Sequence, residues 1–100
     1  MTMTISIDCD LTWTLDPVVW NRIYRLLVSS GHRVIMATGR HRHSDDMDCF
    51  DLPPDMLIVY CGGTPKRQAC RALGIEVDIW IDDMPAMIDG AMIVGSDSEL

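Results

Sequence analysis

Positive charge is scarce in this chain: eight Lys and Arg stand against fifteen Asp and Glu, for a formal net charge of −7. That balance argues against a broad face neutralising the phosphates of duplex nucleic acid. No apolar run approaches the ~18 residues that a membrane span requires, and Met1 to Ser6 lacks the basic start and apolar length of a signal peptide. Cys9, Cys49, Cys61 and Cys70 form neither a C-x-x-C redox pair nor a zinc-knuckle spacing, so they read as reduced thiols. A cytoplasmic protein with no membrane partner is the expectation. Phosphate loops of the G-x-G-x-x-G or G-x-x-x-x-G-K-[ST] type are missing, as are internal repeats, linkers and low-complexity segments.

What is present suits a folded domain: 48% hydrophobic and 23% charged residues over 100 positions, too apolar for disorder. One domain over residues 1–100 is expected, with a core too small to enclose a large pocket. Substrate should therefore be met near the surface. The few basic residues gather in two places, where an anion could land: Arg40 and Arg42, interleaved with His41 and His43, and Lys66 with Arg67 and Arg71.

Met3 to Ile7 alternates apolar and hydroxyl residues and then meets Asp8 and Asp10, as a strand ending at a polar crest does. Asp16-Pro17 is an N-cap followed by proline at the first helical position, and Val18, Val19, Ile23, Leu26 and Leu27 recur at helical spacing until Ser29-Ser30-Gly31. Arg33 to Ala37 is an apolar run, a strand buried on both faces, and so part of a parallel sheet. His41 to Pro54 reads as a loop with at most one helical turn. Met56 to Tyr60 predicts a third strand, and Thr64-Pro65 a cap and first-turn pair for a helix that carries Lys66 and stops at Gly74. Val77 to Ile81 predicts a fourth strand ending at Asp82-Asp83, residues 85–89 one helical turn, and Ala91 to Val94 a fifth strand before a tail.

Strands alternating with helices over short connections predict an α/β fold, a small doubly wound (Rossmann-like) parallel sheet of about five strands with helices on both faces. Ligands of such sheets bind outside the carboxyl ends of the strands. There the sequence puts Asp8 and Asp10, Thr38, and Asp82 with Asp83. Clustered carboxylates need a cation or raised pKa values, and hard oxygen ligands select Mg2+. The hydroxyl of Thr38 and the ammonium of Lys66 in a helix's first turn favour an oxyanion such as phosphate. Carboxylate, metal, hydroxyl and ammonium make a set suited to phosphoryl transfer.

In these residues the chain resembles the haloacid dehalogenase-like superfamily. The first motif of that family, D-x-D-x-[TV] after an apolar strand, is similar to Asp8-Cys9-Asp10-Leu11-Thr12; the second to Val34 through Thr38; the third to Lys66; the fourth to Trp80-Ile81-Asp82-Asp83. All four occur in the family's order over residues 5–83. The resemblance implies a phosphatase with Asp8 as the nucleophile that forms an aspartyl-phosphate and Asp10 as the acid/base. It implies that Thr38, Gly39, Arg40 and Lys66 bind the phosphoryl group, and that the Asp8 carboxylate, the Asp10 backbone carbonyl, Asp82 and Asp83 hold Mg2+. Leu11 stands where the family often has glycine. Neither usual cap domain fits between the motifs, which implies an open site for a large phosphorylated substrate or nucleic-acid end, or a neighbouring subunit of a homo-oligomer as lid. Ile81 through Pro85 also resembles the fourth motif of deoxynucleotidases, which keeps a nucleotide among the substrates.

Other readings are weaker fits. In a phospho-acceptor receiver domain the acceptor Asp ends a middle strand, where this chain has Tyr60-Cys61. A catalytically silent domain of the same family, serving as a binding or regulatory module, is the alternative from another class. Arg40 and Arg42 are candidates for a second phosphate or polynucleotide backbone, against a solvated loop balanced by Asp45, Asp46, Asp48 and Asp51. His41, His43 and Asp45 lack a third well-spaced partner for a second metal site. Cys9 reads as small buried filler, the methionines as core filler, and Trp13, Trp20 and Trp80 as core or sheet-edge aromatics, with Trp13 placed to stack on a base.

Overall fold

The computed structural model describes residues 1–42, 47 and 51–90. Among the described residues four short strands, β1 (Thr4–Ile7), β2 (Arg33–Thr38), β3 (Leu57–Tyr60) and β4 (Ile79–Ile81), form one sheet in the order β3-β2-β1-β4. Every pairing is parallel, with Ile5 opposite both Val34 and Ile79, and Thr38 opposite Tyr60. The helices are α1 (Pro17–Ser29), α2 (Lys66–Ala72) and α3 (Ala86–Asp89), and a 3-10 turn at Trp13–Leu15 precedes α1. This is an α/β fold with a wholly parallel sheet. The fifth strand expected at Ala91 to Val94 lies outside the described residues.

Alternation along the strands sorts the core into two clusters. Val34 and Met36 join Ile5, Ile7, Cys9 and Trp13, against which Trp20, Tyr24 and Leu27 of α1 pack. Ile35 and Ala37 join Val59, Cys61, Cys70, Ile75 and Val77, with Ala69 of α2 packed beside them. β2 is buried from Val34 to Thr38, as a strand covered on both faces must be. Burying these apolar side chains at roughly 25 cal/mol per Å² is the main term holding the sheet to its helices.

Local chemistry sets the element ends, and several differ from expectation. Asp16 caps α1 by accepting a hydrogen bond from the Val19 N–H at 3.2 Å, with Pro17 in the first turn. At α2 the expected Thr64 cap is not formed: Pro65 occupies the N-cap without a side-chain bond, and the Thr64 N–H is used in a turn, donating to the Cys61 carbonyl. β4 is shorter than its apolar run. Asp78 leaves the ladder to grip β1, its N–H donating to the Thr4 carbonyl and its carboxylate accepting from the Thr4 N–H at 2.8 Å, so Val77 is apolar for core packing rather than for pairing. Trp13 is wholly buried, which overturns base stacking as its role. Gly62 turns the chain after β3 at φ +57, and a Cβ there would stand 2.8 Å from the His41 ring, so glycine is favoured and any side chain would have to displace that ring. Among the described residues no helix is long and apolar enough to cross a membrane.

Candidate active site

The parallel register brings the ends of β1 and β4 together, and the Asp8 N–H donates to the Ile81 carbonyl at 2.8 Å. Asp8 and Asp82 therefore leave adjacent strands side by side. Lys66, in the first turn of α2, enters between them: its Nζ donates to Asp8 Oδ1 at 2.7 Å and to Asp82 Oδ2 at 2.6 Å. Lys66 is only 5% exposed, and a buried ammonium is tolerable because both contacts are charge-assisted. Burial works to lower its pKa, but the bonds to the two carboxylates outweigh that and the net shift is upward.

One oxygen of each carboxylate remains for other work. Asp8 Oδ2 accepts from the Thr12 hydroxyl at 3.3 Å, and Asp82 Oδ1 from the Met84 N–H at 2.9 Å. Asp83 completes a triad with Asp8 and Asp82 in which one oxygen from each lies within 4.8 Å of the others. Two carboxylates thus share one ammonium, and a third lies beside them. Burial raises the Asp8 pKa to about 6, a hydrogen bond with Asp83 adds to the rise, and Lys66 opposes it. Clustered hard oxygens short of positive charge are the donor set that Mg2+ takes, so these residues fit that ion.

Asp10 lies apart from the triad. Arg40 grips it bidentately, Nε to Oδ2 at 2.9 Å and Nη2 to Oδ1 at 2.8 Å, and this bond holds the carboxyl below its ordinary pKa. Thr38 is fully buried at the end of β2, with Oγ1 accepting from the Arg40 N–H at 3.2 Å. A cavity of about 180 Å³ opens beside Asp10 and the triad. Asp8, Asp10, Gly39, Lys66, Asp82 and Asp83 line it, and Leu11, Met84 and Met87 complete its wall.

The structure therefore gathers Asp8, Asp10, Gly39, Lys66, Asp82 and Asp83 at one cavity, whereas Arg40, tied to Asp10, and the wholly buried Thr38 are not among the residues that line it. Arg42 goes elsewhere: its guanidinium lies 5.0 Å from the centre of the Tyr60 ring, beside a larger cavity of about 850 Å³ along the edge of β3. His43 and Asp45 fall outside the described residues. Arg67 and Arg71 are engaged by Asp89 and Glu76. Cys9, Cys61 and Cys70 are all buried, and burial pushes the Cys61 thiol up to about 11.

Sequence reasoning missed the Arg40–Asp10 pair and the apolar wall. The first had a usable signal, since loops leaving hydrogen-bonded neighbours such as β1 and β2 must meet, but only the strand order reveals that they are neighbours. The second had little, because Leu11 and Met84 look like stray surface residues. Leu11 sits at φ +60, a left-handed conformation that costs a leucine about 1–2 kcal/mol, and it is held there by a bond from its N–H to Thr14 Oγ1. Compared with protein-family models, curated proteins and solved structures, the chain has no significant match.

Proposed function

We propose that this chain is a magnesium-dependent phosphomonoester hydrolase of the haloacid dehalogenase-like type, built on a capless, doubly wound Rossmann-like sheet. The observation that carries the reading is Lys66 bridging Asp8 and Asp82 beside Asp83, at the carboxyl ends of parallel strands. Residues 58 and 16 positions apart converge there in the order that the motifs require.

On this reading an Asp8 carboxylate oxygen attacks phosphorus, the bond to the ester oxygen breaks, and Asp10 protonates the departing oxygen. Asp10 then takes a proton from water as that water attacks the aspartyl-phosphate, releasing phosphate and restoring Asp8. Lys66 holds Asp8 in place and presents positive charge to the phosphoryl oxygens. Asp8, Asp82, Asp83 and the Asp10 carbonyl would hold Mg2+, which when bound supplies charge that offsets the carboxylates and the phosphoryl group. For Asp10 to act as an acid, Arg40 must release it, and substrate phosphate is a fitting competitor for the guanidinium. The open cavity suits a nucleotide, a polynucleotide end or another large phosphorylated molecule, or a second copy of the chain as lid. The buried thiols of Cys61 and Cys70 suit a cytoplasmic setting.

The test is a panel of phosphomonoesters, including nucleotides and end-phosphorylated oligonucleotides, assayed with and without magnesium. Turnover that needs magnesium and vanishes in Asp8→Asn is expected, with Asp10→Asn slowed by about 10²–10⁴-fold. Undiminished turnover in Asp8→Asn overturns the proposal. One observation favours a silent binding module instead: Arg40 keeps Asp10 ionised. Magnesium binding with no turnover on any ester would support that second reading.

A further inference from the structure

The wall above the carboxylates carries information about what leaves the phosphorus. Leu11 is 63% exposed although apolar, and Met84 is 50% exposed; with Met87 they line the same cavity as Asp8, Asp10 and Lys66. Leu11 follows Asp10 directly and Met84 follows Asp83 directly, so both loops that supply acids also supply an apolar lip. The Leu11 backbone is in a conformation that glycine adopts without strain, and its side chain contributes nothing to either core cluster. A strained, exposed leucine at a cavity mouth is spent on the cavity.

We infer that Leu11, Met84 and Met87 are specificity-determining residues for a phosphomonoester whose leaving group presents a planar apolar ring, an aryl phosphate, in preference to a polar sugar. The inference rests on the phosphomonoesterase reading and narrows its substrate class. Three points lead to a ring. Leu11 follows directly on Asp10, the group that on this reading addresses the leaving oxygen. Two of its members are thioethers, which contact aromatic rings favourably. The cavity, at about 180 Å³, exceeds the ~150 Å³ void that takes up benzene, so one ring fits within it.

The test uses non-hydrolysable probes, so that it reads binding rather than turnover. Phenylphosphonate and methylphosphonate present the same headgroup with and without the ring, and their affinities are measured by calorimetry in the presence of magnesium. Wild type should bind the phenyl compound about tenfold more tightly. Leu11→Gly, whose backbone suits φ +60 and whose melting temperature should be unchanged or raised, is expected to lose much of that preference while keeping its affinity for methylphosphonate. Met84→Ala should do the same independently, since only its backbone N–H bonds Asp82. Equal binding of the two probes by wild type, or a full preference surviving in Leu11→Gly/Met84→Ala, overturns the lip and leaves the hydrolase standing. Failure of both probes to bind wild type overturns the phosphomonoesterase reading and the lip with it.

Discussion

Asp8 is pulled in two directions, by burial toward its neutral form and by Lys66 toward its charged one, and burial prevails. A carboxyl whose folded-state pKa is raised binds its proton more tightly folded than unfolded. In metal-free protein its contribution is therefore full below about pH 3.8 and is lost as pH rises through about 6. Urea titrations across that range should show stability falling with pH, and Asp8→Asn should flatten the fall. A slope unchanged in Asp8→Asn would place the desolvated carboxyl elsewhere. Asp10 has the opposite sign, its lowered pKa giving stability that disappears on acidification, but half-exposed as it is the effect is small. Lys66→Met should be the costliest single change at the site, about 3–5 kcal/mol, because it leaves two buried carboxylates facing each other without their shared cation.

At the scale of elements, the Asp16 cap is the clearest sequence-encoded device. Asp16→Ala should cost about 1 kcal/mol in denaturant unfolding, whereas Glu76→Gln, which breaks an exposed pair with Arg71, should cost almost nothing. The comparison shows what kind of information a sequence carries. β2 was legible because its apolar run has one explanation, burial on both faces, and Asp16-Pro17 because a cap acts over three residues. Val77 and Thr64 misled because the same residue types serve core packing and turns as readily as strands and caps. The site was legible in outline, since parallel strands deliver their C-terminal residues to one edge. Which acid faces which base was not, because Arg40 meets Asp10 across 30 residues, a distance that only strand order closes.

For the molecule as a whole, magnesium should act as a stabilising ligand. At free metal about twentyfold above its dissociation constant, linkage adds about 1.8 kcal/mol, which raises the melting temperature by several degrees for a domain of this size. Potassium at matched ionic strength controls for screening. Asp83→Asn should abolish most of the magnesium-specific shift; a shift of wild-type size would mean that the ion sits elsewhere. A count of carboxylates suggests that Asp82→Asn relieves repulsion and raises the metal-free melting point. The Lys66 contact reverses that expectation, because Asn weakens a buried charge-assisted bond, and the melting point should fall.

The strand order also has a consequence in time. β1 is the first strand to be synthesised, yet it sits inside the sheet between β2 and β4, and Thr4 is tied to Asp78 across 74 residues. Its inner position is completed only when β4 arrives. Loop closure over such separations makes folding slow relative to local helix formation. On a ribosome, α1 and the β1–β2 pair emerge long before Ile81 can take the Asp8 N–H, so Asp8 and Lys66 reach their final places only after residue 82 is free to meet them. The nascent chain passes through a stage in which one flank of β1 is open to other strands, and the acids at its tip are the last part of the molecule to become a site.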